Sequence, residues 1–131
     1  MKYLKAFLVL ALIVVANSVS AQSTFDKWPA LKEFHEVMSQ TFHPAEDGNF
    51  SPLKARSEEM MSKAAMLLIT EIPQEFRTDA ILASAERLQL KSKALHKLVL
   101  LSPPDVTIFK SITELHETFH EIVGLCSEPK K

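Results

Sequence analysis

The sequence predicts an all-α protein, an antiparallel up-down-up-down four-helix bundle that follows an N-terminal signal peptide. Four stretches repeat apolar residues at steps of three and four, which is the spacing of one helical face. Prolines separate these stretches, and the short connections favour antiparallel neighbours. The chain has only two glycines and no run of alternating β-branched residues, so the pattern disfavours a sheet.

Residues 1–21 have the features of an export signal. Lys2 and Lys5 give a positive start, a short apolar run follows, and small residues end the segment at Ala21. The apolar run is shorter than the roughly 20 residues that a stable membrane anchor needs. We therefore expect cleavage after Ala21, one domain over residues 22–131, and a periplasmic or secreted protein. An uncleaved anchor is the alternative.

The first predicted helix lies between two prolines. Pro29 is tolerated in a first helical turn, and proline disfavours helix at the residue before it, so we expect Pro44 to end the helix at His43. A turn follows over 45–49, where Gly48 can adopt a left-handed conformation. Candidate N-terminal caps precede this helix at Ser23, Thr24 and Asp26. Its apolar face comprises Leu31, Phe34, His35, Met38 and Phe42.

Three further amphipathic helices are predicted. The second has Ser51 as its cap and Pro52 in its first turn, and Pro73 lies beyond its end. Thr78 is the predicted cap of the third helix, and residues 102–105 separate the third helix from the fourth. The predicted inward-facing residues are Leu53, Met60, Met61, Ala64, Leu67 and Leu68 in the second helix, Ile81, Leu82, Ala85, Leu88, Leu95 and Val99 in the third, and Ile108, Ile112, Leu115, Phe119, Ile122 and Val123 in the fourth.

Composition excludes some classes of function. The net charge is −1 and no basic stripe is present, so we expect no nucleic-acid partner. Cys126 is the only cysteine, which leaves no internal disulfide and requires the hydrophobic core to stabilise the fold. No nucleophile–base pair is recognisable in the sequence, so an enzyme is the least supported interpretation. A hydrolytic zinc site with an open fourth position stays open as an alternative.

Three histidines are the candidate metal ligands. His116 and His120 are four residues apart, which places both imidazoles on one face of a helix. With the first and fourth helices as antiparallel neighbours, His35 lies about 12 Å from their shared end, and His120 and His116 lie about 9 and 15 Å from it. We therefore expect the three imidazoles to share one copper or zinc ion. Met38, one turn beyond His35, can add a thioether ligand that favours reduced copper.

Other interpretations of these residues stay open. His35 can be a boundary residue with a half-buried ring and a wet polar tip. A histidine pair with this spacing can also arise by chance on a solvated helix face. His43 can form a second metal site with Glu46 and Asp47, or it can interact with the dipole at the end of its own helix.

Two stretches carry a family resemblance. Thr41–Asn49 reads TFHPAEDGN, and Leu115–Ile122 reads LHETFHEI. Together with His35 and Met38, they resemble small exported four-helix proteins of Gram-negative bacteria, and the architecture is similar to the cytochrome b562 and cytochrome c′ bundles. The resemblance to cytochrome b562 implies haem b bound non-covalently by Met38 and His116. The motif Cys-x-x-Cys-His is absent, which excludes covalent c-type attachment.

The function predicted from these features is that of a periplasmic protein that binds a transition metal, for trafficking, buffering or sensing. The first alternative is a b-type haem protein that transfers electrons. The second is a ligand-free helical module that binds a periplasmic partner protein. We expect no stable membrane anchor in the processed chain.

Export generates the first testable prediction. Protein recovered from the periplasm should begin at Gln22, because small residues precede this position as a signal peptidase requires. Intact-mass spectrometry measures the start directly. Recovery of a chain that keeps Met1 would refute the predicted cleavage.

Overall fold

The computed structural model describes residues 21–127, and this part of the chain is helical without any strand. The predicted signal peptide, residues 1–21, lies outside the described residues except for Ala21. A helical segment over 21–27 comes first. A 3-10 turn, Gln74–Phe76, lies between the second and third long helices. The four long helices are α1 Pro29–Glu46, α2 Ser51–Ile69, α3 Asp79–Leu100 and α4 Asp105–Ser127.

The predicted end of α1 at His43 is wrong, because the helix continues through Pro44 to Glu46. Proline removes one backbone donor, but only two helical residues follow it, so little of the hydrogen-bond ladder is lost. The Pro44 carbonyl oxygen accepts hydrogen bonds from the backbone N–H groups of Asp47, at 3.1 Å, and Asn49, at 2.8 Å. The predicted turn follows, with Gly48 at φ +88°.

The helix starts confirm one predicted cap and correct two others. The backbone N–H of Ile81 donates to Thr78 Oγ1 at 3.2 Å, as expected of a cap on α3. Ser51 is not the cap of α2, since the helix begins at Ser51 itself and its N–H donates to Asn49 Oδ1 at 3.2 Å. The predicted caps of α1, Ser23, Thr24 and Asp26, lie instead within the helical segment 21–27, and Trp28 occupies the cap position.

All four helices contribute to one buried apolar core. The α1 positions predicted to face inward are buried except for His35, which is half-buried. Five predicted core residues are only partly buried: Met61, Leu68, Leu82, Val99 and Val123. The last four of them pack against the core. Burial of one large apolar side chain contributes about 1.5–3 kcal/mol, so this core is the main source of stability.

Polar contacts, some exposed and some partly buried, join each helix to the next. They are Lys63 with Glu33 at 3.5 Å and Arg56 with Gln40 at 2.6 Å between α1 and α2, Ser57 with His96 at 2.9 Å between α2 and α3, and Arg87 with Glu121 at 2.9 Å and Lys91 with Thr118 at 2.7 Å between α3 and α4. Exposed ion pairs contribute little, about 0–1 kcal/mol each. The backbones of α1 and α4 approach each other over a smaller surface than those of consecutive helices.

Two further observations concern apolar residues within residues 21–127. Large apolar side chains are exposed around the connection between α3 and α4, at Leu100, Leu101 and Val106. None of the described helices combines the length and apolar character needed to cross a membrane.

The cap at Thr78 generates a stability prediction. Thr78→Ala removes the hydroxyl that accepts from Ile81, so the free energy of unfolding should fall by about 1 kcal/mol. Thr78→Ser keeps a hydroxyl at the same position and should stay close to the wild type. Urea denaturation measures both variants, and equal losses in the two would show that the cap is not the cause.

Candidate metal site on α1 and α4

His116 and His120 form a close pair on α4. Their Nε2 atoms are 3.1 Å apart, and their rings meet edge to face with centroids at 4.3 Å. A neutral imidazole has one N–H and one lone pair, so one Nε2 donates a hydrogen bond that the other accepts. If a metal ion lay about 2.0–2.1 Å from both atoms, the nitrogen–metal–nitrogen angle would be about 95–100°. This angle lies between the square-planar and tetrahedral values.

The two members of this pair differ in exposure. His116 is half-buried, and its ring stacks on Phe42 of α1 with centroids at 4.1 Å and planes 17° apart. His120 is exposed to solvent. Packing against α1 therefore fixes the His116 imidazole, while exposed His120 leaves the space between the two Nε2 atoms open to solvent.

The structure places His35 in a different environment. Its imidazole lies against the rings of Phe25, at 4.7 Å, and Phe119, at 5.5 Å, with planes within 20° of parallel. Over residues 21–127, no group of three or more histidine, cysteine or carboxylate side chains is arranged to hold a metal ion. The three predicted histidine ligands are therefore not assembled around one point in the described part of the chain.

Met38 and His43 make other contacts in the structure. Met38 is 1% exposed and packs within the apolar core. His43 is exposed, and its Nδ1 lies 3.1 Å from Glu46 Oε1 one turn along α1. The thioether thus serves the core, and the nearest polar partner of His43 belongs to its own helix.

Burial lowers the pKa of both half-buried histidines. For His35, desolvation is the main cause, the positive charges of His120 and His43 add to it, and Glu36 opposes them. For His116, desolvation again comes first, followed by the charge of His120. The lowered pKa values keep these two imidazoles neutral at neutral pH, with lone pairs available for a metal.

For His116, charged groups of α1 and α4 also act from a greater distance. Glu46 raises its pKa, His43 lowers it, and Glu117 raises it. Carboxylates and imidazoles of both helices therefore face the same region. The four histidines of α1 and α4 lie close enough that their charges interact.

A polar pair between α2 and α3 was not predicted from the sequence. Ser57 Oγ and His96 Nδ1 are 2.9 Å apart. Ser57 is 2% exposed, so this contact links α2 to α3 rather than presenting a nucleophile to a substrate. The available signal was a serine on the apolar face that carries Leu53 and Met60, because a buried hydroxyl needs a partner.

An open cleft of about 310 Å³ lies near the ends of the chain's described part, away from the histidine pair. Its lining includes Lys27, Glu75, Phe76 and Cys126. Burial, followed by the negative charge of Glu75, raises the pKa of the Cys126 thiol to about 12. Cys126 is therefore a protonated thiol at neutral pH, which disfavours it as a nucleophile or metal ligand.

No protein-family model, curated protein or solved structure matches the chain. The chemical interpretation of the site therefore depends on its own geometry. The family resemblance described from the sequence stays a prediction.

The lowered histidine pKa values generate a prediction about stability and pH. The free energy of unfolding should fall as the pH decreases through 6.5, the ordinary histidine value, because the unfolded state then binds more protons than the folded state. Above that pH the contribution is complete, and it is lost progressively toward the lower folded-state pKa values.

His35→Phe tests the origin of this slope. The variant keeps an aromatic ring beside Phe25 and Phe119 but removes one titrating group. Its free energy of unfolding, measured in urea at several pH values between about 5 and 8, should fall less steeply than that of the wild type. An unchanged slope would show that His35 does not contribute.

Proposed function

We propose that this is an exported, periplasmic protein that binds one copper or zinc ion through His116 and His120, for trafficking, buffering or sensing of the metal. The observation that carries the proposal is the 3.1 Å separation of the two Nε2 atoms. This distance suits two nitrogen ligands of one transition metal. A shift of the shared proton from Nε2 to Nδ1 of the donor imidazole leaves a lone pair on both Nε2 atoms. Support for export comes from the sequence of residues 1–21.

A site with two protein ligands suits a protein that exchanges its metal. Water or a second molecule must complete the coordination sphere, and exposed His120 lets either one enter. Imidazole ligands suit both copper and zinc, and a given site generally binds divalent copper more tightly than zinc. Weak, exchangeable binding fits delivery or buffering better than a permanent structural role.

We further propose that α1 to α4 form an antiparallel up-down-up-down bundle. The supporting contacts pair rising residue numbers on one helix with falling numbers on its neighbour. They include Glu33–Lys63 and Gln40–Arg56, Arg87–Glu121 and Lys91–Thr118, and Phe34–Phe119 and Phe42–Phe109. In this topology α1 and α4 are neighbours, which accounts for the ring contacts between them.

The haem alternative has less support than the metal ion. Axial ligation by His116 would break its contact with His120 and disturb its stack on Phe42. Met38 would have to leave the apolar core to reach an iron atom. The ligand-free module would use a docking surface instead, for which exposed Leu100 and Leu101 are available. A metal titration separates these alternatives from the proposal.

The histidine pair generates a binding prediction. Purified protein should bind one zinc ion in calorimetry, and His116→Ala or His120→Ala should each remove most of the affinity, because a single imidazole is left. Binding should also fade as the pH falls below about 6.5, where free imidazole takes a proton. Zinc should raise the melting temperature of the wild type, since it binds the folded state.

His43→Gln is the matched control, since it removes an exposed histidine whose contact is with Glu46. Its zinc affinity should equal that of the wild type. Unchanged affinity in both His116→Ala and His120→Ala would contradict the proposed site, and absence of zinc and copper binding by the wild type would favour the partner-binding module.

A further inference from the structure

Phe25, in the helical segment 21–27, covers the imidazole of His35. The ring centroids are 4.7 Å apart, and the Phe25 ring also lies 6.3 Å from that of Phe119. With His35 at 5.5 Å from Phe119, the three rings form a triangle of nearly parallel planes. The stack fixes the direction of the imidazole and gives His35 aromatic neighbours in place of His116 and His120.

A single phenyl ring contacts both His35 and the histidine pair. Phe119 lies 5.5 Å from His35 and 5.9 Å from His120, by ring centroids. The charge of His120 also acts on His35. Both imidazoles therefore border the same phenyl ring, and a change in the side-chain direction of His35 is the movement that the third-ligand arrangement requires.

The segment that carries Phe25 is joined to α1 at an irregular residue. Trp28 has φ −125° and ψ 84°, which interrupts the helix between residue 27 and Pro29. Its backbone N–H donates to the Thr24 carbonyl at 3.0 Å, and an exposed ion pair links Lys27 to Glu75 at 3.4 Å. Rotation about Trp28 can move Phe25 while the long helices stay in place.

Trp28, at the junction of the segment with α1, is fully buried, and its ring stacks on Phe76. Its indole Nε1–H has no hydrogen-bond partner among the described residues, which is unfavourable for a buried donor. Buried Thr24, the packed rings and an exposed ion pair hold the segment against the long helices.

We propose that Phe25 is a strap that keeps His35 out of the metal site, and that displacement of Phe25 lets His35 join His116 and His120 as a third ligand. The proposal rests on the proposed function, because it regulates the same site. Three imidazoles and an open fourth position form a zinc site of a common kind. Strap release and tight metal binding are then coupled, each favouring the other.

A double-mutant cycle with zinc as the probe tests the strap. Wild type and His35→Ala should bind zinc with nearly equal affinity, because we expect the closed strap to be favoured strongly enough that zinc alone does not open it. Phe25→Ala should bind about tenfold more tightly, since the closed state no longer reduces the apparent affinity. The double variant with His35→Ala should return to the wild-type value.

Two further variants make each outcome decisive. Phe50→Ala removes another half-buried ring, one that meets Phe109 edge-on at 6.3 Å, and should leave zinc affinity unchanged. Phe25→Leu keeps apolar bulk without a planar ring. This variant replaces Phe25→Ala in the zinc titration if circular dichroism shows that Phe25→Ala has lost its helices. It too should bind zinc more tightly, and only when His35 is present.

The results separate the strap from the proposed function. If the wild type binds zinc through His116 and His120 but the folded Phe25 variants bind no more tightly, the strap is overturned alone. Tightening that persists without His35 overturns it as well. If neither the wild type nor any Phe25 variant binds zinc, the proposed function fails together with the strap.

Discussion

Phenylalanine rings determine how the histidines between α1 and α4 are held. His116 stacks on Phe42, and His35 stacks on Phe25 and Phe119. Ring packing removes water from one face of each imidazole, so desolvation is the largest cause of both lowered pKa values. The same contacts fix ring direction. Orientation and protonation state therefore have one physical origin, which is the aromatic packing between these two helices.

The chemistry of the pair depends on the difference between its members. A fully buried pair would exclude an ion, and a fully exposed pair would lose side-chain entropy on binding one. Here Phe42 already holds His116, and His120 is left facing solvent. The folded protein therefore already orders one of the two imidazoles, and solvent can still reach the nitrogens of the pair.

Sequence reasoning succeeded where one local rule decides the structure and failed where two elements must be combined. The Thr78 cap and the approach of His116 to His120 follow from spacing along one helix. The environment of His35 does not. The sequence argument compared the positions of the histidines along two helix axes from the rise per residue. It left the direction of each side chain around its axis undetermined. In the structure the His35 ring stacks on Phe25, which lies outside the four predicted helices.

The placement of the site also follows from how the helices share the core. The backbones of consecutive helices approach each other over larger surfaces than those of α1 and α4, so movement at those interfaces would disrupt more of the packing. Between α1 and α4, side-chain rings fill the space that closer backbones would otherwise occupy. Rings can rotate and exchange partners at a smaller cost than helices can separate. If the histidine site changes its ligands as proposed, this interface accommodates the change more easily than the others, because the helical segment 21–27 lies beside it.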